Sequence, residues 1–310
     1  MLEIGSIAPD FTLQDQNGTA EQFESLRSAL AELSVSEEYS VQPVFGGDIN
    51  RAFRLTANGR NIFMKANRRE NEAFFSSEIT GLNAIRETKT IRVPETLAWG
   101  TDSRYGVFLL LEWCEGRQSR EFFENFGHQL AAMHRADTSK VVKGYGFPED
   151  NFIGAGKQEN TPEESWVVFF RDHRLKPQFQ RTDSWFESSD RKRIGHLLDH
   201  LEEYLPEPAF PSLLHGDLWS GNFLVGNDGE AWLIDPAVYV GHAEADLAMT
   251  ELFGGFPQRF YGAYSEANPI DPGFRGRRDI YNLYHLLNHL NLFGGSYLGS
   301  VREVLSKYKD

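Results

Sequence analysis

The sequence contains little that could hold a fold together covalently. It has one cysteine, Cys114, among 310 residues, which excludes a disulfide within the chain and a four-cysteine metal site. Because disulfides are typical of oxidising compartments, this cysteine content predicts a reducing cytoplasm. The first residues, MLEIGSIAPD, show no basic stretch followed by an apolar core, so no secretory signal is predicted.

Positive charge is also scarce. The chain has 31 Lys and Arg residues against 45 Asp and Glu residues, which gives a net charge of −14. Nucleic acids and anionic membranes are bound by basic surfaces, so neither is an expected partner. The uncharged stretch 280–301 contains Asn, His and Gly, and its apolar residues recur at helical spacing before Gly294 and Gly295, which predicts a buried helix and a turn rather than a membrane span. A cationic substrate group, or a metal–nucleotide complex held by carboxylates, fits this charge.

The hydrophobic content is 40% and the aromatic content 13%, enough for a sizeable core, and the length suggests two domains. Strands are predicted over 41–44, 52–56, 61–65, 96–100 and 107–113, and a helix over 71–87. Further helices are predicted over 119–135, 166–180, 190–204 and 279–293, and a β-hairpin over 222–225 and 231–235.

This order of elements predicts an α+β fold with two lobes. A small β-rich lobe is expected over 24–113, a linker over 114–116 and a larger, mainly helical lobe over 117–310. Residues 1–23 do not follow the pattern, and the role of this N-terminal extension is left open.

The segment HGDLWSGN, residues 215–222, carries the clearest chemical signal together with Asp235. Asn222 begins the predicted hairpin and Asp235 ends it, so the two side chains are expected to lie close together. Phosphoryl transfer uses one carboxylate to deprotonate the attacking hydroxyl, and an amide oxygen and a second carboxylate to hold Mg²⁺. Trp219 lies between Asp217 and Asn222, and two roles are open for it: the wall of a substrate pocket, or packing against the hairpin.

A second set of residues lies in the predicted β-rich lobe. Lys65 is on a strand and Glu78 is on the following helix, the arrangement with which kinases fix the α- and β-phosphates of ATP. Glu72 is on the same helix, but the apolar residues around Glu78 favour Glu78 as the partner. The turn at Gly46 and Gly47, upstream of Lys65, would let the backbone approach phosphates.

Two histidine pairs have helical i,i+4 spacing, namely His196 with His200 and His285 with His289. Neither pair has the H-E-x-x-H form or an obvious third ligand, so neither is expected to bind zinc.

These residues resemble the fructosamine-3-kinase, or ketosamine kinase, family. The similar segments are HGDLWSGN, LIDPAVYVGHAEADLAMTELFGGF, GGDINRAFRL and the strand lysine, and the resemblance runs from about residue 24 to the C-terminus. It implies a bilobal protein-kinase-like fold and an ATP-dependent kinase that phosphorylates the 3-hydroxyl of a ketosamine. The phosphorylated adduct decomposes and frees the amine, so the family is viewed as protein-deglycating.

The resemblance also implies a role for each matching residue. The base is Asp217, and the Mg²⁺ ligands are Asn222 and Asp235. The ATP-binding residues are Gly46, Gly47, Asn50, Lys65, Glu78 and, at a hinge, Glu112, Trp113 and Cys114. The residues with structural roles are His215 and Asp246, of which Asp246 anchors the catalytic loop. The helix over 166–180 is expected to line the substrate pocket, and the candidate substrate contacts are Arg174, Gln178 and Trp219.

Two other functions stay open at this point. The same catalytic set would serve a kinase that acts on an aminoglycoside, choline or another amino-alcohol, and a nucleotide-binding pseudokinase would keep the fold without turnover. The sequence leaves open which ketosugar is preferred, and whether the substrate is a small molecule or a glycated protein. It assigns no oligomeric state.

Overall fold

The computed structural model describes residues 22–23, 25–33, 39–44, 50–57 and 59–308. Residue contacts divide the chain into two compact units. The first unit runs to Asn83 and also includes Val93–Arg117 and Val225–Asp228, whereas the second comprises Ala84–Arg92, Gln118–Leu224 and the chain from Gly229 onward. The predicted linker over 114–116 lies in a stretch of the first unit, and its role as a hinge stays a prediction.

The first unit is built mainly from strands. Its strands are β1 (Gln22–Phe23), β2 (Ser40–Val44), β3 (Arg51–Ala57), β4 (Arg60–Asn67), β5 (Thr96–Asp102) and β6 (Gly106–Glu112). Its helices are α1 (Leu26–Glu32) and the larger part of α2 (Glu72–Glu87).

The six strands form one sheet in the order β1-β5-β6-β4-β3-β2. The pairing is antiparallel except for β1, which runs parallel to β5. Helix α1 buries Leu26 and Leu30 in a cluster with Leu55, Ile62 and Met64 of the sheet. Because strand residues alternate between faces, Lys65 lies on the face opposite to Met64.

The second unit is mainly helical. Its longer helices are α3 (Phe122–His134), α6 (Ser188–Asp199), α8 (Glu244–Leu252), α9 (Gln258–Ala267), α10 (Phe274–Phe293) and α11 (Leu298–Leu305), with α4 (Trp166–Phe169), α5 (Lys176–Arg181) and α7 (Leu201–Tyr204) as shorter ones. Its strands are short and form three pairs, β7 (Asn151–Ile153) with β8 (Gly156–Gln158), β9 (Ser212–Leu214) with β12 (Tyr239–Gly241), and β10 (Phe223–Val225) with β11 (Ala231–Leu233).

Helices α3 and α9 pack closely at one side of this unit. A β-carbon at Gly127 of α3 would lie 2.3 Å from the carbonyl oxygen of Phe260 of α9, so only glycine permits this approach. Around it, the ring of Phe126 lies 5.2 Å from that of Phe260 and 5.1 Å from that of Phe223 on the hairpin. Edge-to-face aromatic contacts of this kind stabilise a core beyond the area they bury.

The helix predicted over 166–180 is present but is not a regular α-helix. Between α4 and α5 the chain forms a π-helix over Phe170–Leu175. Pro177, in the first turn of α5, has no N–H for the carbonyl of residue 173, and its ring crowds that carbonyl, so a wider turn precedes it. The wider turn shifts the faces of the helix, and α-helical spacing therefore misplaces the residues that follow Phe170.

The α+β fold class is confirmed, with strands dominating the first unit and helices the second. The predicted strands are found within a few residues of their predicted bounds, whereas the helix predicted over 190–204 is divided at His200 into α6 and α7. The predicted helix over 279–293 is the buried C-terminal part of α10. Within the described part of the chain, no helix has the length and apolarity needed to cross a membrane.

Candidate active site

The predicted catalytic segment forms a loop, residues 215–222, between β9 and β10 of the second unit; we call it the Asp217 loop. Gly216 adopts φ +82°, and a β-carbon there would lie 2.0 Å from the carbonyl oxygen of Ala237. Only glycine combines this left-handed backbone with so close an approach. The backbone N–H of Ala237 also donates to the carbonyl of His215 at 2.8 Å. The loop is therefore fixed against the segment that follows Asp235.

The buried imidazole of His215 links the same two segments. Its Nε2 lies 2.9 Å from the carbonyl oxygen of Ile234, and its Nδ1 accepts from the N–H of Asp217 at 3.3 Å. A carbonyl accepts only, so the proton is on Nε2. Burial lowers the pKa of His215, which keeps the ring neutral and suited to both bonds.

Asp246 of α8 anchors the backbone of the Asp217 loop. Its buried carboxylate accepts from the backbone N–H groups of His215 at 2.7 Å and Gly216 at 2.9 Å. The same carboxylate lies 3.1 Å from Nε2 of His134, whose Nδ1 lies 2.8 Å from the hydroxyl of Tyr264. This geometry matches the anchoring role expected for Asp246.

Replacing Asp246 by Asn is expected to lower the free energy of unfolding by about 3 kcal/mol at pH 7. An amide keeps one acceptor oxygen, so its N–H₂ group would face the backbone N–H of either His215 or Gly216 and leave that donor buried without an acceptor. Urea unfolding of the variant and the wild type measures the loss. Asp183→Asn, which breaks an exposed pair with Arg191, is the matched control and should change little. A loss below about 1 kcal/mol for Asp246→Asn would contradict the anchoring role.

The contribution of Asp246 should also depend on pH. Burial pushes the pKa of Asp246 upward, but the hydrogen bond and charge of His134 hold it below its usual value. A lowered carboxyl pKa adds stability that is complete above about pH 4 and is lost as the pH falls through the lowered value. The difference in stability between the wild type and Asp246→Asn should therefore narrow in acid.

The structure brings Asp217 and Asn222 into contact, and the predicted hairpin joins Asn222 to the residue that precedes Asp235. The side-chain amide of Asn222 donates to the backbone carbonyl of Asp217 at 2.8 Å and to its carboxylate at 3.0 Å. The backbone N–H of Ile234 donates to the carbonyl of Asn222 at 3.1 Å, which places Asp235 one residue from that bond. Asn222 thus orients the carboxylate of Asp217 and is bonded to the residue before Asp235.

Asp235 has an unusual backbone, with φ +54° in an exposed position. Left-handed conformations are uncommon outside glycine, although Asp adopts them more readily than most residues. Among the residues that the structure describes, no three His, Cys, Asp or Glu side chains are grouped to hold a metal ion. An amide oxygen from Asn222 and a carboxylate from Asp235 nevertheless fit Mg²⁺, which takes one or two protein oxygens and completes its shell with phosphates and water.

Asp217 occupies a partly buried position, with 21% of its side chain exposed. Burial raises the pKa of Asp217 to about 7, the negative charge of Asp246 adds to the rise, and the hydrogen bond from Asn222 opposes it. A base with a pKa near the working pH is effective in proton transfer.

His285 of α10 lies beside Asp217 and was not predicted as a site residue. Its Nδ1 is 3.9 Å from Oδ1 of Asp217 and is buried without a hydrogen-bond partner among the described residues. Burial, with the nearby His289 as a lesser cause, lowers the pKa of His285 to about 3. The imidazole is therefore neutral at pH 7, so it meets Asp217 as a polar neighbour rather than as the cation of an ion pair.

The two roles that the sequence left open for Trp219 are not decided by its position. The indole lies over Gly221, where a β-carbon would come within 2.3 Å of the ring, and it meets Phe253 edge-on at 6.2 Å. The side chain still exposes 37% of its surface. It is therefore packed against the Asp217 loop and accessible at once, and its contact with substrate stays a prediction.

The expected substrate contact of Arg174 and Gln178 is corrected by the structure, because both side chains are fully buried. The guanidinium of Arg174 lies 4.0 Å from the ring centre of Tyr239 and donates to the side-chain carbonyl of Asn160 at 2.7 Å. Gln178 donates to Asn288 at 3.2 Å. The π-helix turns both residues into the interior, where no substrate reaches them in this arrangement.

In the first unit, the structure brings Lys65 of β4 and Glu78 of α2 together. Nζ of Lys65 is 2.6 Å from Oε1 of Glu78, and both side chains are buried. Glu78 rather than Glu72 therefore forms this pair with Lys65, as the sequence favoured. A pair of this kind fixes the direction of the lysine, although its role in phosphate binding stays a prediction.

The remaining predicted nucleotide residues are placed in part. Gly46 and Gly47 lie outside the described residues. Asn50 accepts a hydrogen bond from the side-chain amide of Asn67, at the end of β4, over 2.7 Å. In this structure Asn50 is thus tied to the strand that carries Lys65.

Two of the predicted hinge residues, Glu112 and Trp113, help to line a cavity of about 380 Å³, whereas Cys114 is not among its lining residues. The indole N–H of Trp113 donates to Glu115 at 2.9 Å, and Sγ of Cys114 lies 3.8 Å from the carbonyl oxygen of Glu112. The backbone N–H of Glu115 donates to the side-chain carbonyl of Asn227 at 3.0 Å. The segment is thus held by local bonds, and adenine binding by its backbone stays a prediction.

Known proteins show the same fold and sequence pattern. A crystal structure from Haemophilus somnus, assigned as a fructosamine-3-kinase, is similar with a TM-score of 0.78 and 28% identity over 92% of this chain and 97% of that one. A thermostable mutant of the aminoglycoside phosphotransferase APH(4)-Ia has a TM-score of 0.58 at 18% identity over 90% of this chain and 98% of that one. The fold is therefore protein-kinase-like.

At the level of sequence, the fructosamine kinase family model matches residues 23–310. A protein from Synechocystis, named a probable ketoamine kinase, is 40% identical over 272 residues, 85% of this chain and 88% of the relative. A chloroplastic protein-ribulosamine 3-kinase from Oryza sativa subsp. indica is 40% identical over 281 residues, 90% of this chain and 81% of the relative. The chain therefore belongs to the fructosamine kinase family and is a phosphotransferase that acts on a hydroxyl group.

Proposed function

We propose that this chain is an ATP-dependent kinase that phosphorylates the 3-hydroxyl of ketosamines. The observations that support the proposal are the contact of Asp217 with Asn222 and the backbone bond from Ile234, the residue before Asp235, to Asn222. This set supplies a base and two oxygen ligands within one loop and one hairpin. The family match and the ribulosamine 3-kinase relative support a ketosamine as the acceptor.

The proton of the attacking hydroxyl goes to the carboxylate of Asp217. As the acceptor oxygen forms its bond to the γ-phosphorus, the bond from that phosphorus to the β-phosphate oxygen breaks and ADP leaves. The amide of Asn222 keeps the carboxylate oriented, and the neutral imidazole of His285 adds no positive charge that would make Asp217 a weaker base. The anchor at Asp246 fixes the loop, so little reorganisation is needed during the reaction.

Asn222 and Asp235 are the residues that would hold Mg²⁺. When bound, the ion neutralises charge on the phosphate oxygens and orients the nucleotide. The exposed carboxylate of Asp235 suits a ligand that is shared with a nucleotide rather than enclosed by protein.

On the nucleotide side, Lys65 would contact the phosphates while Glu78 holds its ammonium group in place. Two of the predicted hinge residues, Glu112 and Trp113, line the cavity of the first unit, which suits a bound base. We assign ATP as the phosphoryl donor on these grounds and keep Gly46 and Gly47 as the proposed phosphate loop.

A ketosamine acceptor is compatible with the net negative charge of the chain. The linking nitrogen of a ketosamine is a secondary amine and is cationic at neutral pH, and the protein carries a net charge of −14, which favours approach of a cation. Phosphorylation at the 3-hydroxyl would make the adduct unstable and free the amine. On this view the chain acts in deglycation, and the cytoplasm stays its predicted location.

The test is ATP consumption with Mg²⁺ on four acceptors: ribuloselysine, fructoselysine, an aminoglycoside and choline. Turnover is expected on at least one ketosamine, and removal of Mg²⁺ with a chelator should abolish it. The ranking of the two ketosamines would identify the preferred sugar.

Turnover only on the aminoglycoside or on choline would replace the proposal with an amino-alcohol kinase. No turnover on any acceptor, with ATP still bound, would indicate a pseudokinase.

A further inference from the structure

A continuous series of aromatic rings begins at the Asp217 loop and crosses the surface of the second unit. The ring of Trp219 is 6.2 Å from that of Phe253, which is 4.9 Å from the imidazole of His289. His289 in turn lies 5.4 Å from Phe293 and 5.1 Å from Tyr297. We call these five residues the aromatic strip.

The aromatic strip is accessible rather than part of the core. Phe293 exposes 51% of its surface and Trp219 exposes 37%, while the other three members are partly exposed. Single exposed apolar residues are normal, but a contiguous exposed apolar surface marks a binding site. At the far end, Trp185 packs against Gly295 with 42% of its own surface exposed, which lengthens the apolar surface.

The aromatic strip is carried by the Asp217 loop and by α10, and both elements reach the reacting centre. Trp219 follows Asp217 by two residues. On α10, His289 is one helical turn after His285, whose Nδ1 is 3.9 Å from the carboxylate of Asp217. Phe293 follows after one more turn and is the last residue of α10. A substrate whose hydroxyl reaches Asp217 therefore has the aromatic strip beside the part of it that does not react.

The chemistry of the five side chains determines which groups of a ligand the aromatic strip could bind. None of its five side chains carries a permanent charge, and burial lowers the pKa of His289, so this ring is neutral at pH 7. Aromatic faces attract apolar groups and cations. A surface of this kind suits a peptide that has a cationic amine and apolar neighbours, and it holds no cationic side chain that would attract an anionic group.

We propose that the aromatic strip binds the carrier of the ketosamine, in the form of the peptide segment around a glycated lysine. The inference rests on the proposed function, because it concerns the same substrate. The three steps from Trp219 through Phe253 and His289 to Phe293 are 4.9 to 6.2 Å each, whereas an extended peptide advances about 3.3 Å per residue. A free amino acid would cover one step, whereas a peptide of several residues would cover them all.

The test compares one ketosamine on two carriers. The small substrate is ribulosamine on the side chain of Nα-acetyl-lysine, and the large one is the same adduct on the central lysine of a seven-residue peptide with Leu and Tyr neighbours. The wild type is expected to show a KM for the peptide about tenfold lower than for the small substrate, with similar kcat values.

The variant Phe293→Ser/Tyr297→Ser should lose most of this preference while its kcat and KM for the small substrate stay unchanged. Phe293→Leu/Tyr297→Leu keeps apolar volume at both positions and should keep part of the preference. The matched control is Phe210→Ser, which removes another exposed aromatic side chain that packs on Arg135 rather than on the strip, and it should behave as the wild type.

Three results would overturn the inference while leaving the proposed function intact. They are an equal KM for both carriers in the wild type, a serine variant that weakens both substrates to the same degree, or the same loss of preference in Phe210→Ser. No turnover of either ketosamine by the wild type would overturn the proposed function and this inference together.

Discussion

Replacing Asp217 by Asn is expected to lower kcat for a ketosamine by about 10³-fold, within the range that a positioned general base contributes. The amide has the size of the carboxylate but accepts no proton. Asn222 would still find an acceptor in the backbone carbonyl of residue 217, which it already contacts, so the loop should keep its shape. Initial rates at saturating ATP and Mg²⁺ measure the loss.

The control for this prediction is Asp137→Asn. Asp137 is exposed and accepts from the backbone N–H of Ser139 at 2.9 Å, a bond that the side-chain carbonyl of Asn would keep. Thermal unfolding and calorimetric titration with ATP should show that Asp217→Asn folds and binds nucleotide as the wild type does. A fall in kcat of less than tenfold would remove Asp217 from the role of base.

Replacing Lys65 by Met is expected to lower kcat/KM for ATP by about 100-fold, because the proposed contact with the phosphates is lost and a hydrogen bond between charged groups contributes about 3 kcal/mol. Methionine keeps the apolar stem but removes the ammonium group. The carboxylate of Glu78, 9% exposed, would then be left without the cation that lies 2.6 Å from it. Steady-state kinetics with ATP as the varied substrate measures the effect.

A double-mutant cycle separates the loss of Lys65 from the exposure of Glu78. Glu78→Gln keeps an acceptor for Lys65, so we expect it to lower kcat/KM less than Lys65→Met does. The double variant should be close to Lys65→Met alone, because Glu78 acts through Lys65. Lys157→Met, which breaks an exposed pair with Asp150, is the control. Additive effects in the cycle would mean that the two residues act independently.

Much of the site could be predicted because its residues are close in sequence or joined by a tight turn. A two-stranded hairpin returns the chain to its starting point, so the sequence alone predicts that Asp235 lies near Asn222. The structure has a backbone hydrogen bond from Ile234, the residue before Asp235, to Asn222. The strand and helix carrying Lys65 and Glu78 are consecutive, which limits how they can pack. In these cases local periodicity and turn chemistry are sufficient.

The residues that were missed are joined to the site only by tertiary packing. His134 was not predicted: it lies on α3, 112 positions from the predicted Asp246 on α8 that it contacts, and no spacing rule relates the two. His285 reaches Asp217 from α10, and its i,i+4 relation to His289 suggested at most a metal pair. Their signal lies in burial and unpaired polar atoms, which a single sequence does not display.

The position of the Arg174 side chain could not be predicted from the sequence for a different reason. The helix that carries it was predicted, but the direction of its side chain was not, because the π-helix over Phe170–Leu175 changes the phase of the helical faces. A residue expected at the substrate therefore lies fully buried against the ring of Tyr239. The cause is Pro177, whose effect on the preceding turn is visible only once the helix is built.

The most direct measurement is the position of the new phosphate on the product. Wild-type protein, ATP, Mg²⁺ and ribuloselysine are incubated, and the product is analysed by ¹H–³¹P correlation spectroscopy. We expect the phosphorus to couple to the proton on carbon 3, with one ADP formed for each phosphorylated ketosamine. Phosphate on another hydroxyl, or ADP formed without any phosphorylated ketosamine, would contradict a ketosamine 3-kinase.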